Sequence, residues 1–160
     1  MGVSTKVLQA FYRARQAYWK IFEPTILGVR ALIVDQEQIM LVKHTYTNGW
    51  YLPGGRVDRG ETIYTAMCRE VSEECGLKVK KARLSAIYSN TNMNRNDHIA
   101  LFCIDDFETE ENSALNSQLH KIEIAEVGFF PLSKLPSNIT PGTMRRIEEY
   151  ARQAFDSEYW

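Results

Sequence analysis

Three glutamates, Glu70, Glu73 and Glu74, share one turn of a stretch whose apolar residues recur at helical spacing from about Thr62 to Cys75. A step of about 100° per residue puts the apolar positions of this stretch on one broad arc: Ile63, Ala66, Met67, Val71 and Cys75. Glu70 and Glu74 fall inside that arc and Glu73 lies at its edge. This pattern predicts that carboxylates face packed structure rather than open solvent.

Carboxylates in such a position need a positive partner. Burial disfavours the charged form, and three negative groups within one turn repel one another. A divalent cation removes both costs, and clustered carboxylate oxygens favour Mg²⁺, Mn²⁺ or Ca²⁺ over zinc. The alternative is a solvent-exposed charged helix in which Arg69 pairs with Glu73 at i, i+4. The helix alone leaves both interpretations open.

The residues before and after the glutamates decide between them. Nine positions follow the pattern G, five residues, E, seven residues, R-E-U-x-E-E-x-G-U, with U aliphatic: Gly55, Glu61, Arg69, Glu70, Val71, Glu73, Glu74, Gly76 and Leu77. This pattern resembles the complete signature of the Nudix hydrolases and is highly specific. The flanking residues also resemble a Nudix domain: Trp50-x-Leu52-Pro53-Gly54-Gly55, Asp97-His98 and Phe129-Phe130-x-Leu132. The resemblance extends over about residues 25 to 155.

The resemblance implies a loop-helix-loop that holds Mg²⁺, with Mn²⁺ as a substitute. In that scheme Glu70 and Glu74 are direct ligands with Glu73 beside them, and the carbonyl of Gly55 adds an oxygen. Arg69 orients the carboxylates and has a catalytic role together with Glu70 and Glu73, while Glu61 fixes the loop and the start of the helix. The general base is either Glu70 or a glutamate from a later loop, for which Glu123 is the first candidate and Glu126 the second.

The rest of the chain predicts an α/β (α+β) domain with the Nudix fold, a mixed β-sheet between α-helices. We expect strands at Thr25–Val34, Gln38–His44, Leu77–Tyr88, His98–Phe107 and Val127–Leu132, with a closing helix at Pro141–Phe155. Residues 1–23 are expected to form an amphipathic helix packed on the domain, which comprises residues 24–160. Binding of that helix to a membrane surface or a partner chain is the alternative.

Three candidate substrate-binding residues precede the signature. Arg30, among apolar neighbours, either reaches a phosphate or pairs with a carboxylate. His44, at a strand end, either lines the cleft or lies on the surface. Trp50 either stacks on a base or anchors the packing ahead of Leu-Pro-Gly-Gly.

Three more candidates lie in the polar run from Ser89 to His98: Asn90, Arg95 and His98. Amides and one cation suit contacts with a base, sugar or phosphate. A solvated hairpin turn is the alternative for this run.

The implied function is hydrolysis, by water attack at phosphorus, of a pyrophosphate bond in a nucleoside diphosphate derivative such as a nucleotide sugar or a nucleoside triphosphate. Two substrate classes are disfavoured. Tyr88 comes too early for the tyrosine of dinucleoside polyphosphate hydrolases, and Asn92 stands where many ADP-ribose hydrolases carry a proline. A Nudix-fold regulator that binds a nucleotide without cutting it, and an RNA-processing enzyme, are the alternatives.

Composition bears on partners and location. The formal net charge of -1 and the lack of an extended basic tract argue against nucleic acid as a partner and favour a small molecule. Three cysteines, an odd number within apolar stretches, favour reduced thiols and a cytoplasmic location. No apolar run reaches the roughly 18 residues of a spanning helix, so no membrane partner is expected. A homodimer is compatible with the aromatic N-terminal segment.

Overall fold

The computed structural model describes residues 25–90, 97–110 and 123–160. The helix predicted for residues 1–23 lies outside the described residues. The described chain contains five strands and two helices, in the order β1 Ile26–Asp35, β2 Gln38–His44, α1 Ile63–Cys75, β3 Leu77–Asn90, β4 Asp97–Thr109, β5 Ile124–Pro131 and α2 Pro141–Arg152. Each predicted strand and both helices in this range are present, with bounds shifted by a few residues.

The strands form one mixed sheet in the order β3-β4-β1-β2-β5. β1 runs parallel to β4, and the other neighbouring pairs are antiparallel. The β1–β2 hairpin turns at Gln36 and Glu37, whose φ angles of 44° and 64° are both positive. Positive φ at both central residues is the geometry of a type I′ turn, which matches the twist of the two strands.

Each of the two helices in the described part of the chain covers one face of the sheet. Alternate residues of β1 point to opposite sides, so Val29 and Ala31 pack in a cluster with Met67 and Val71 of α1. Leu32 packs instead in a second cluster with Ile147 of α2. The predicted mixed sheet between helices is confirmed.

A glycine-rich loop enters the sheet between β1 and β2. These strands pair directly only near the turn, at Val34–Ile39 and Asp35–Gln38. Beyond that point the loop lies between the two strands and forms backbone hydrogen bonds with both: Tyr51 with Val42, Pro53 with Ala31, Gly55 with Val29 and Val57 with Leu27. The sheet therefore fixes the loop from both sides.

Gly54 must be glycine for two reasons. Its φ is 132°, which L side chains rarely adopt, and an added β-carbon would collide with the backbone carbonyl of Val29. Close packing of the loop against β1 depends on this residue.

The closing helix is shorter than predicted. It ends at Arg152 rather than Phe155, because Gln153 adopts a left-handed conformation with φ 53°. The amides of Gln153 and Ala154 then bond back to the carbonyls of Tyr150 and Glu149, which satisfies the helix end without a glycine. Phe155 still packs against the second cluster from outside the helix.

Candidate active site

Helix α1 presents its glutamates to the glycine-rich loop. The Thr62 side chain accepts a hydrogen bond from the amide of Thr65 at the N-terminus, and Gly76 ends the helix in a left-handed conformation. The exposed fractions of the side chains are 9% for Glu74, 14% for Glu70 and 52% for Glu73. This order follows the positions that helical spacing gives the three glutamates relative to the apolar arc.

Glu74 joins the helix to the loop. Its Oε2 accepts a 2.7 Å hydrogen bond from the amide of Gly54, and its Oε1 lies 3.8 Å from Nε2 of His44. Burial raises the pKa of Glu74 to about 8, although the Arg30 charge and the Gly54 hydrogen bond act in the opposite direction. A carboxyl held in this environment gains strongly from a nearby cation.

Glu70 lies against Gly55. An ideal β-carbon on Gly55 would stand 2.5 Å from Oε1 of Glu70, so the carboxylate fills the space that a side chain would need. Burial raises the pKa of Glu70, and the neighbouring Arg69 partly offsets that rise. Glu70 and Glu74 thus contact adjacent residues of one loop.

Arg69 connects the glutamates and the loop. Its guanidinium binds both carboxylate oxygens of Glu61 at 3.0 Å and the Oε1 of Glu70 at 2.8 Å. It also donates to Glu73 at 3.2 Å and to the carbonyl of Arg56 at 3.1 Å. These hydrogen bonds lower the pKa of Glu61 and raise that of Arg69. Such a charge-assisted network holds the carboxylates in fixed directions.

The donor set fits a hard divalent cation. Among residues 25–90, 97–110 and 123–160, no three acidic, histidine or cysteine side chains are already arranged around a common metal position. Two carboxylates with raised pKa nevertheless face Gly54 and Gly55, and Val29 occupies only one of the two lone pairs of the Gly55 carbonyl. Oxygen donors of this kind are those that Mg²⁺ and Mn²⁺ select.

Arg30 and His44 lie beside Glu74. The guanidinium of Arg30 donates to the carbonyls of Leu52 and Gly54, and its charge opposes the rise that burial causes in the pKa of Glu74 and of Glu70. His44 is buried, and its Nδ1 lacks a hydrogen-bond partner within the described part of the chain. Burial, assisted by the Arg30 charge, lowers the pKa of His44. His44 is therefore a buried residue beside Glu74.

The two candidates for a later-loop base occupy different places. The carbonyl of Glu123 accepts from the amide of Thr45 at 2.9 Å, and its charge raises the pKa values of His44, Tyr46 and Glu74. Glu126 instead forms a 3.1 Å ion pair with Lys43. Glu123 is thus the later-loop glutamate whose charge acts on the site.

The remaining candidates are not brought to Glu74. Trp50 belongs to the second core cluster, and its ring centroid lies 4.7 Å from that of Phe130. This placement corresponds to the alternative in which Trp50 anchors the packing. Asn90 ends β3 opposite Asp97, and Nδ1 of His98 lies 3.5 Å from the hydroxyl of Ser89. Arg95 lies outside the described residues.

Sequence reasoning missed Tyr46, an exposed aromatic residue stacked on His44. Its signal was a tyrosine within the polar loop from Thr45 to Gly49, immediately after a candidate cleft residue.

Comparisons with known proteins show the family of this chain. The NUDIX domain model matches residues 24–152. A Bacillus subtilis protein named "Putative 8-oxo-dGTP diphosphatase" is 27% identical over 122 residues, which are 76% of each chain. An ADP-ribose pyrophosphatase of Methanocaldococcus jannaschii is 28% identical over 123 residues, or 74% of this chain and 69% of that protein. The crystal structure of a MutT NUDIX hydrolase from Burkholderia pseudomallei superposes with a TM-score of 0.66 at 26% identity, covering 78% of this chain and 97% of that one.

The chain belongs to the Nudix family. Within that family it is a hydrolase of phosphoric anhydrides, the enzyme class that its diphosphatase relatives share. Neither described helix is long and apolar enough to span a bilayer.

Proposed function

We propose that this enzyme uses Mg²⁺, or Mn²⁺ in its place, to hydrolyse a pyrophosphate bond in a nucleoside diphosphate derivative. The observation that carries the proposal is the buried carboxyl of Glu74, whose pKa is raised to about 8 while it faces the glycine-rich loop. A group buried at such a cost is expected where a function requires it.

The proposed metal donors are the carboxylates of Glu70, Glu73 and Glu74 and the carbonyl of Gly55. Glu70 and Glu74 are the direct ligands, because they are buried against the loop, whereas Glu73 is about half exposed and stands beside them. Arg69 positions Glu70 and Glu73 through its hydrogen bonds, and the amide of Gly54 positions Glu74. When bound, the cation neutralises charge on the diphosphate and on the departing phosphate.

The chemical step is attack of a water molecule on phosphorus. The new phosphorus–oxygen bond forms as the bridging anhydride bond breaks, and the departing phosphate takes the bonding electron pair. Glu123 accepts the proton of the attacking water in this proposal, since its charge acts on the site; Glu70 is the alternative base. A carboxylate base of this kind contributes about 10²-fold to 10⁴-fold in rate.

The names of the relatives support a diphosphate-containing substrate more strongly than any single compound. They include an ADP-ribose pyrophosphatase and the rat diphosphoinositol polyphosphate phosphohydrolase 2, which is 30% identical over 96 residues, or 57% of this chain and 54% of that protein. A nucleotide sugar or a nucleoside triphosphate is the substrate that we propose, with Arg30 and His44 beside it.

A substrate panel tests the proposal. Nucleoside triphosphates, nucleotide sugars, ADP-ribose and dinucleoside polyphosphates are incubated with the protein in Mg²⁺ and, separately, in EDTA. The products are followed by phosphate release and chromatography. We expect Mg²⁺-dependent cleavage of one class at the anhydride bond. If none of these compounds is cleaved while nucleotide binding is intact, the protein is instead a non-catalytic regulator.

Domain organisation and location complete the proposal. We place an N-terminal helix at residues 1–23 against the domain of residues 24–160, in a cytoplasmic protein whose aromatic N-terminal segment is compatible with a homodimer. Three free cysteines, Cys68, Cys75 and Cys103, are compatible with a reducing compartment. Light scattering of the full chain and of a chain lacking residues 1–23 tests the assembly; two monomeric samples would exclude the dimer.

A further inference from the structure

Tyr46 presents an aromatic ring to solvent beside the proposed active site. The residue follows β2 in the loop that leads to the glycine-rich segment, and its side chain is 68% exposed. Its ring centroid lies 5.2 Å from that of His44, with the two planes only 23° apart. Because Nε2 of His44 lies 3.8 Å from Glu74, the stacked pair connects the solvent to the proposed metal carboxylates.

The described contacts hold the Tyr46 ring on one side and leave most of it accessible. The buried ring of His44 supports one face, and Tyr51 supports His44 in turn at a centroid distance of 5.6 Å. The Tyr46 hydroxyl donates to Oε1 of Glu123 at 3.4 Å. A ring with a supported face and an exposed one is a platform on which a flat aromatic group can stack.

We propose that Tyr46 binds the nucleobase of the substrate by stacking and thereby selects base-bearing diphosphates over base-free ones. The inference rests on the proposed function, because it names the substrate class of the same site. A base on Tyr46 is separated from Glu74 by the Tyr46 and His44 rings. The sugar and the phosphates therefore have to span the distance from the Tyr46 ring to the carboxylates. Stacking is tolerant of base identity, since every base offers a flat aromatic face.

Equilibrium binding tests this without turnover. Nucleoside monophosphates carry a base, a sugar and a phosphate but no anhydride bond, so calorimetric titrations can include Mg²⁺. Ribose 5-phosphate is the matched ligand without a base. We expect the wild type to bind at least one monophosphate more tightly than ribose 5-phosphate. Tyr46→Ala should weaken that binding about 5-fold to 100-fold, the range typical of base–aromatic stacking.

Two variants separate stacking from other roles of Tyr46. Tyr46→Phe keeps the ring and loses only the hydroxyl, so its affinity for the monophosphate should stay near that of the wild type. Tyr159→Ala removes another exposed tyrosine, 58% accessible, whose carbonyl contacts Arg146 on the α2 side of the sheet. It should bind all ligands like the wild type.

Three results would overturn the proposal: equal monophosphate affinity of wild type and Tyr46→Ala, an equal loss for ribose 5-phosphate, or no base preference in the wild type. The hydrolysis panel is scored separately. If the protein cleaves a substrate with Mg²⁺ and Tyr46→Ala does not change monophosphate binding, base stacking on Tyr46 is rejected and the proposed hydrolysis stands. If Tyr46→Ala weakens monophosphate binding but no substrate is cleaved, base stacking on Tyr46 stands and the proposed hydrolysis is rejected.

Discussion

The backbone amide of Gly54 donates a 2.7 Å hydrogen bond to the carboxylate of Glu74, which lies on the opposite side of the loop-helix unit. Glu74→Gln keeps the acceptor oxygen and the side-chain shape but removes the charge. We expect hydrolysis with Mg²⁺ to fall by more than about 100-fold, because a proposed metal ligand is lost. Steady-state kinetics measures the fall, and circular dichroism checks that the fold is intact.

Glu126→Gln is the matched control for that change. Glu126 is an exposed glutamate whose partner is Lys43, so its neutralisation should leave the rate within about 2-fold and cost little stability. Near-normal turnover of Glu74→Gln at low Mg²⁺ would refute the assignment of Glu74 as a metal ligand.

The helix and its buried carboxylates were predictable from sequence, because spacing along a helix determines which residues share a face. The contacts of Arg30 were not. Its partners are the carbonyls of Leu52 and Gly54, and a backbone carbonyl belongs to every residue and leaves no trace in a sequence. Trp50 was ambiguous for a related reason, since an aromatic residue at a loop edge packs or binds depending on tertiary contacts.

The closing helix shows a further limit. Arg146 and Glu149 carry charged side chains on this helix, yet they are 0% and 2% exposed. Tyr159 and Trp160, near the end of the chain, contact Arg146, while Tyr88 of β3 contacts Glu149. A local pattern does not reveal which distant segment will cover a helix face.

The pKa of Glu74 gives the metal-free protein a characteristic pH dependence. Its value of about 8 in the folded state lies above the ordinary 4.5, so the folded protein binds a proton more tightly than the unfolded chain. The resulting stability is complete below about pH 4.5 and is lost as the pH rises toward 8. In EDTA we therefore expect the free energy of unfolding to fall by a few kcal/mol between pH 5 and pH 8.

Urea unfolding of the wild type and Glu74→Gln across this range provides the measurement. His44 works in the opposite direction, because burial lowers its pKa, so it reduces the expected fall and cannot produce it. Parallel pH profiles of the two proteins would contradict the Glu74 assignment. Saturating Mg²⁺ should flatten the wild-type profile, since a bound cation stabilises the ionised carboxylate.

Gly55→Ala should displace Glu70. A β-carbon there would lie 2.5 Å from the carboxylate, so either the glutamate or the loop must move. We expect Mg²⁺ affinity and turnover to fall about 10-fold to 100-fold, with about 1–3 kcal/mol of lost stability from overpacking. Gly128→Ala is the control, because its added β-carbon would meet its nearest neighbour only at 4.0 Å.

Glu123→Gln tests the general base. The amide cannot accept a proton from water, so kcat should fall by about 10²-fold or more while the KM for substrate changes little. Glu70→Gln should raise the Mg²⁺ requirement as well as lower kcat, because Glu70 is also a proposed ligand. If Glu123→Gln retains full kcat, the base assignment passes to Glu70.

The buried cluster on α2 should contribute to stability independently of the active site. The Arg146 guanidinium lies 3.7 Å from the centroid of the Tyr88 ring and donates to Oε1 of Glu149 at 2.9 Å. The Tyr88 hydroxyl donates to the other oxygen of Glu149 at 2.6 Å. Arg146→Met leaves the buried Glu149 carboxylate without its cation, which should cost about 3–5 kcal/mol.

Changing both charged partners tests whether the ion pair or the packing matters. Arg146→Met combined with Glu149→Leu removes the unpaired charge, so the double variant should recover much of the loss seen in Arg146→Met alone. Tyr88→Phe removes one hydrogen bond to the carboxylate and should cost about 1–3 kcal/mol. Urea unfolding gives the three free energies. A double variant no more stable than Arg146→Met would show that cation–ring packing, rather than charge compensation, holds this cluster together, because Met cannot replace the guanidinium over Tyr88.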